Sequence, residues 1–373
     1  MAYNDRKITM KEIEELRDGR RLISICNFDR NSIPVLLGPT TQFYAEFKEA
    51  LYRILKETYL NRQGLDIFLY TRGGDTNSVW PIVCLLREYD PDFEVLVPFR
   101  AHSSGTLFSI AAKKILMCRL GELSPIDPTT GNQFNPVDPS VPGNRMGISV
   151  EDVSAYEKYV KQALMYNECK DEHDDSKRDI RNHILPFLEK FTNEVHPLAI
   201  GNVHRVYLQI RELASMLLAL HRDPDKDLNS IIKKLTTQYY SHLHMIGRGE
   251  AKDILGKQVE YAPDEMETLL DKLLRQYEDD FYIREPFIAA NYMKDETKED
   301  VSFVGGVIEA IDLGYKYVTK GVLYQSSQIP SNVKVQLPPG QKMPIVEGLP
   351  RQYRLELSEQ GWRKNKQQDG VTK

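Results

Sequence analysis

The sequence predicts an α/β protein built on a mainly parallel sheet. Three observations carry this. Short apolar runs recur through the first 120 residues. Segments with helical periodicity separate them, long enough to serve as right-handed crossovers. The runs are apolar at almost every position, as strands covered on both faces must be.

Taken in order, Leu22–Phe28 (LISICNF) reads as a buried strand. Thr41–Tyr59 reads as a helix, because Phe43, Phe47, Leu51 and Leu55 recur every four residues. Leu65–Tyr70 (LDIFLY) is a second strand, ended by Arg72-Gly73-Gly74-Asp75. Asn77–Glu88 is a helix with Pro81 in its first turns. Phe93–Phe99 is a third strand, Ser103–Lys114 an apolar helix and Ile115–Leu120 a fourth strand.

Gly121–Asn144 is rich in Pro, Gly and Asn, and a loop of that length in a compact domain points to function or flexibility. Residues 150–235 read as mostly helical, with the charged Asp171–Asp179 as an exposed turn. The apolar stripes Leu185, Leu188, Phe191 and Leu213, Leu217, Leu220 suit a core or a subunit interface. Thr236–Tyr261 holds a short helix and a strand, Asp264–Tyr282 an amphipathic helix, and Val301–Tyr324 an outlying β-hairpin. From Gln328 onward, prolines and then a Lys- and Gln-rich end predict a flexible extension. The expected organisation is an N-terminal extension (1–20), a core (21–130), a long loop and helical insertion (131–235), completion of the core (236–327) and the tail (328–373).

Composition narrows the function classes. The chain has 373 residues and a formal net charge of −5, which supplies no bulk basic surface for nucleic acid. Its apolar stretches fall short of the roughly 18–20 residues that span a bilayer. The start, MAYNDRKITMKEIEELR, is charged and has no apolar centre, so no secretory leader is expected. Cys26, Cys84, Cys118 and Cys169 form no CxxC pair. They read as free thiols in a reducing cytoplasm rather than as a zinc site.

The chemistry concentrates at Arg100-Ala101-His102-Ser103-Ser104-Gly105-Thr106. A strand ends there and an apolar helix begins. A serine at such a junction holds its hydroxyl at the carboxyl edge of a parallel sheet, beside the free N–H groups of a helix start. The plainer explanation is an ordinary serine helix cap. The Gly73–Gly74 pair could aim a backbone amide at a ligand, or simply form a turn. GxGxxG, GxxxxGK[ST] and GxSxG are all missing, which excludes a dinucleotide fingerprint, a P-loop and an α/β-hydrolase elbow.

Together, Thr71–Asp75, His102–Thr106, Gly121–Pro128 and Ser241-His242 with Arg248–Ala251 resemble the serine dehydrogenase proteinase family. That family is related to the signal peptide peptidases and the Clp proteolytic subunit. Ser124 stands where the pattern usually has glycine. The resemblance implies a Clp/crotonase-like fold of repeated β-β-α units around a mainly parallel sheet, with an added helical region. It implies a serine peptidase that uses no cofactor and no metal, with Ser103 as nucleophile and the amides of Gly74 and Ser104 as oxyanion donors. It also implies peptide or unfolded-protein substrates and a homo-oligomer, with the tail as a candidate contact for a protein partner.

The base is left open. The Clp-type histidine is missing near Pro125–Pro128, and Asp127 is a weak base for a serine hydroxyl. His242 matches the family's histidine, and a Ser103–His242 dyad is the preferred arrangement. His102 is a chain neighbour of Ser103 and less suited to face it; Gly73 completes the candidates. His242 and His244 form an H-x-H pair with no evident third ligand. Glu122 and Asp127 are two acids in one loop, where turns and caps commonly use them. The rival functions are a catalytically inactive scaffold that binds a protein, and an acyl-CoA-handling crotonase relative.

Overall fold

The structure is a computed structural model. It describes residues 2–33, 41–59, 64–126, 129–138, 144–168, 180–221, 223, 225–239, 241, 243–293, 297–327 and 348–365. In chain order, α1 (Ala2–Leu16) leads to β1 (Arg21–Asn27), β2 (Ser32–Ile33), α2 (Phe47–Thr58), β3 (Leu65–Tyr70), α3 (Val79–Tyr89), β4 (Glu94–Val97) and β5 (Arg100–Ala101). Next come α4 (Ser104–Ser109), β6 (Lys114–Met117), β7 (Glu122–Leu123), β8 (Thr129–Thr130) and β9 (Ile148–Ser149). The helices α5 (Val150–Glu168), α6 (Ile180–Glu194), α7 (Pro197–His221) and α8 (Leu228–Thr237) follow. The chain continues through β10 (Ile246–Gly247), α9 (Arg248–Leu255), β11 (Val259–Tyr261), α10 (Asp264–Phe281) and β12 (Phe287–Ile288). The long strands β13 (Lys298–Glu309), β14 (Gly314–Ser327) and β15 (Arg351–Lys364) come last.

The main sheet has eight strands in the order β11-β6-β4-β3-β1-β13-β14-β15. The first five run parallel, and β13, β14 and β15 add antiparallel strands beside β1. Alternate residues of each parallel strand face opposite cores. Ile23, Ile25, Ile67, Leu69, Val95 and Val97 pack under α2, α3 and α4, together with α7, α8 and α9. Leu22, Cys26, Phe68, Leu96 and Leu116 pack under α1 and α10. Both faces are covered, which explains the unbroken apolar runs. Arg6 of α1 reaches Glu309 at the end of β13 (2.7 Å), and Tyr277 of α10 donates to the same carboxylate (2.7 Å). That buried ion pair fastens both helices to the antiparallel addition.

A second, small sheet, β10-β7-β5, sits beyond the carboxyl edge of the main one. Strands β4 and β6 each continue into one of its strands, which yields the β-β-α units expected from the resemblance. Thr71, just past β3, extends this sheet by pairing with Ala101.

Four expectations change. The helix expected over Thr41–Tyr59 begins only at Phe47. Before it, Phe43 runs alongside the glycine pair: its N–H donates to Gly73 O (2.9 Å) and its O accepts from Asp75 N–H (2.8 Å). The helix expected over Ser103–Lys114 ends at Ser109, because Lys114 already belongs to β6. Val301–Tyr324 is not outlying, since β13 pairs directly with β1. Within the tail, Arg351–Lys364 forms β15, paired along its length with β14. The Asp171–Asp179 turn and residues 328–347 lie outside the described residues. Among the described residues, no helix is long and apolar enough to cross a membrane.

Candidate active site

Ser103 occupies the junction between β5 and α4 with φ 53° and ψ −113°. It is one of three non-glycine residues with positive φ among the described residues. Such a conformation costs about 1–3 kcal/mol and persists only where neighbours enforce it. Here they do so on every side. His102 donates its N–H to Thr71 O (3.1 Å) and accepts from Gly105 N–H (2.8 Å). Ser103 donates its N–H to Ser124 Oγ (2.7 Å) and accepts from Leu107 N–H (3.0 Å). Thr106 Oγ1 donates back to Ala101 O (2.8 Å).

The glycine pair is shaped by this junction. A Cβ on Gly73 would stand 2.7 Å from Ser103 Cβ and 2.9 Å from His102 O, and the backbone has φ 102°. A Cβ on Gly74 would stand 2.5 Å from both the N and the O of Phe43. Gly73 O and Asp75 N–H both point to Phe43, so the Gly74 N–H between them turns the other way. Ser104 opens α4 and has no helical acceptor for its N–H. Among the described residues, neither of these two amides has an acceptor, nor does the Ser103 hydroxyl make a hydrogen bond. The Ser104 hydroxyl is buried with no partner among the described residues.

The electrostatics follow from the register of the small sheet, where Arg100 pairs with Glu122 and Glu122 with Gly247. His102 is buried, with Nε2 3.1 Å from Glu122 Oε2. Burial pushes the Glu122 carboxyl up, against the pull of Arg100 and Arg72. Beside them, Asp29 accepts from Tyr70 Oη (2.7 Å), Arg100 Nη1 (2.7 Å) and Arg72 Nε. Burial raises the Asp29 carboxyl, but the bonds from Tyr70 and Arg72 outweigh it and hold it below its ordinary value. A depressed pKa in the folded state stabilises the fold above the unfolded value, about pH 4, and is lost as pH falls through the folded value. Asp29→Asn is therefore expected to lower Tm by about 2–4 °C at neutral pH and to flatten the acid side of a Tm–pH curve. Identical acid limbs in the two proteins would refute this.

Of the sequence-predicted residues, the structure brings together Gly73, Gly74, His102, Ser103 and Ser104. His242 and Asp127 lie outside the described residues. Their neighbours are placed: β10 pairs with β7, so the chain after His242 runs beside Glu122 and Leu123. His244 does not stand free for a metal. Its Nε2 lies 3.1 Å from Glu250 Oε2, and its ring stacks on Tyr239 at 4.2 Å. Tyr239 Oη donates to the other Glu250 oxygen (2.9 Å). Among the described residues, no group of three or more His, Cys, Asp or Glu could hold a metal ion. Sequence reasoning missed three supports: Phe43 behind Gly74, Glu122 against His102, and Ser124 on the Ser103 amide. Ser124 left a signal as a departure from the expected glycine, and Glu122 as one of two acids in its loop, whereas Phe43 fitted a helix.

The model of the family described as ClpP-like SDH-type serine proteinase matches residues 1–210. Two curated relatives are both uncharacterized proteins of Methanocaldococcus jannaschii. MJ0137 is 30% identical over 124 residues, which cover 33% of this chain and 43% of that protein. MJ1495 is 29% identical over 177 residues, which cover 45% and 59%. The chain thus spans about half the length of these relatives.

Proposed function

Because the chain belongs to the ClpP-like SDH-type serine proteinase family, we propose that it is a serine peptidase with Ser103 as its nucleophile. The observation that carries this is the enforced positive φ of Ser103, packed against Gly73 at a strand–helix junction. A plain helix cap adopts extended backbone and needs no such strain.

In the proposed reaction, Ser103 Oγ attacks the carbonyl carbon of the scissile amide. An imidazole nitrogen of His242 takes the hydroxyl proton and then delivers it to the leaving amine. The resulting acyl-enzyme is hydrolysed by water, activated through the same imidazole. The amides of Gly74 and Ser104 stabilise the oxyanion, each worth about 2.7–4 kcal/mol in comparable sites. The Ser103 amide takes no part, since Ser124 Oγ occupies it. His102 acts as a buttress rather than the base, because Glu122 holds its Nε2. Asp127 is not assigned the role of base, because a carboxylate is ordinarily a weak base for an alcohol.

The substrates on this reading are peptides or unfolded chains, and the family likeness favours a homo-oligomer. The free thiols of Cys26, Cys84 and Cys118 fit a reducing cytoplasm. The test is labelling with a fluorophosphonate, followed by peptide mapping. The adduct is expected on Ser103 and absent from Ser103→Ala. Labelling that persists in the variant would take the role away from Ser103, and an intact wild type that never labels would overturn the proposal and favour the inactive scaffold.

A further inference from the structure

We infer that Ser124 is a positioning residue for the nucleophile: its hydroxyl clamps the Ser103 amide and holds the junction in its strained shape. The inference rests on the peptidase reading for its catalytic consequence, but not for the clamp itself.

The geometry is closed. A hydroxyl has one proton and two lone pairs. The Ser124 proton goes to Pro125 O (2.9 Å), and a lone pair takes the Ser103 N–H (2.7 Å). The Ser124 N–H donates to Thr106 Oγ1 (3.0 Å), whose own proton goes to Ala101 O (2.8 Å). One residue past β7 therefore grips the chain at Ser103 and at Thr106, and through Thr106 at Ala101 on the strand side. Ser124 itself cannot swing away, since it is 2% exposed and precedes a proline, which restricts its backbone to the extended region.

The positive φ of Ser103 turns its N–H out of the helical direction. Without Ser124 Oγ that donor has no acceptor among the described residues. An unpaired donor in a half-buried position is costly, and the junction would relax toward an ordinary cap to reach an acceptor. A glycine at 124 could not supply the bond.

Ser124→Ala removes the hydroxyl with little change in volume. Two measurements test it. In protein labelled with 15N-serine, the Ser103 amide resonance is assigned by its absence from Ser103→Ala. Its hydrogen exchange in Ser124→Ala is expected to quicken about tenfold or more, with Ser109 in α4 unchanged. Fluorophosphonate inactivation, split into reversible binding and bond formation, is expected to show bond formation slowed about tenfold and binding within about twofold. Unchanged exchange overturns the clamp. Faster exchange with undiminished bond formation overturns the positioning role. A wild type that does not label at Ser103 defeats the peptidase reading, while the exchange experiment still decides the clamp.

Discussion

Gly73→Ala is expected to lower kcat/KM for a peptide substrate by about three orders of magnitude. The new methyl would stand 2.7 Å from Ser103 Cβ and 2.9 Å from His102 O. Neither neighbour can retreat cheaply. Ser103 is tied to Ser124, and His102 to Thr71, Gly105 and Glu122. The alanine would also have to adopt φ 102°, at about 1–3 kcal/mol. The strain is relieved by shifting the nucleophile or the adjoining Gly74 amide. A shift of about 1 Å costs on the order of a hundredfold in rate, and a lost oxyanion donor about 10²–10³-fold. Gly201→Ala serves as the control, because a Cβ there meets nothing within 4 Å, in the helix α7. Circular dichroism should show both variants folded. A Gly73→Ala protein within threefold of wild type would mean that Ser103 is not where the reaction occurs.

His242→Ala is expected to lower kcat by about 10²–10⁴-fold with little change in KM, the range for loss of a general base. The limb of the pH–rate profile that reports the general base should vanish with it. His244→Gln should cost far less, because His244 engages Glu250 and Tyr239 rather than the nucleophile. Equal losses in the two variants, or full activity in His242→Ala, would move the base elsewhere.

The legible part of the fold was the part written locally. LISIC and LDIFLY announce strands sealed on both faces, and the helices between them follow a 3.6-residue period. The strand–helix junction at Ser103 was legible because a strand end, a hydroxyl and an apolar helix follow one another directly. What failed was pattern that two structures share. Phe43, Phe47, Leu51 and Leu55 fit a helix, and the rings of Phe43 and Phe47 do meet, with centroids 4.8 Å apart. Yet Phe43 lies in an extended segment, because the glycine pair offers its backbone a partner. Contacts remote in sequence left no local mark. Glu122 meets His102 across neighbouring strands, and β13 finds β1 about three-quarters of the chain later. The strand β15 mixes charged and apolar residues in a way that resembles a solvated linker.

The late arrival of β13 has a consequence for synthesis. On the ribosome, β1 emerges early and can join β3, but its opposite rim stays bare until Lys298–Glu309 has been made. An apolar nascent chain with an open rim is prone to stick to its neighbours. Slow, non-local closure of this kind makes the unfinished polypeptide a natural client for chaperones.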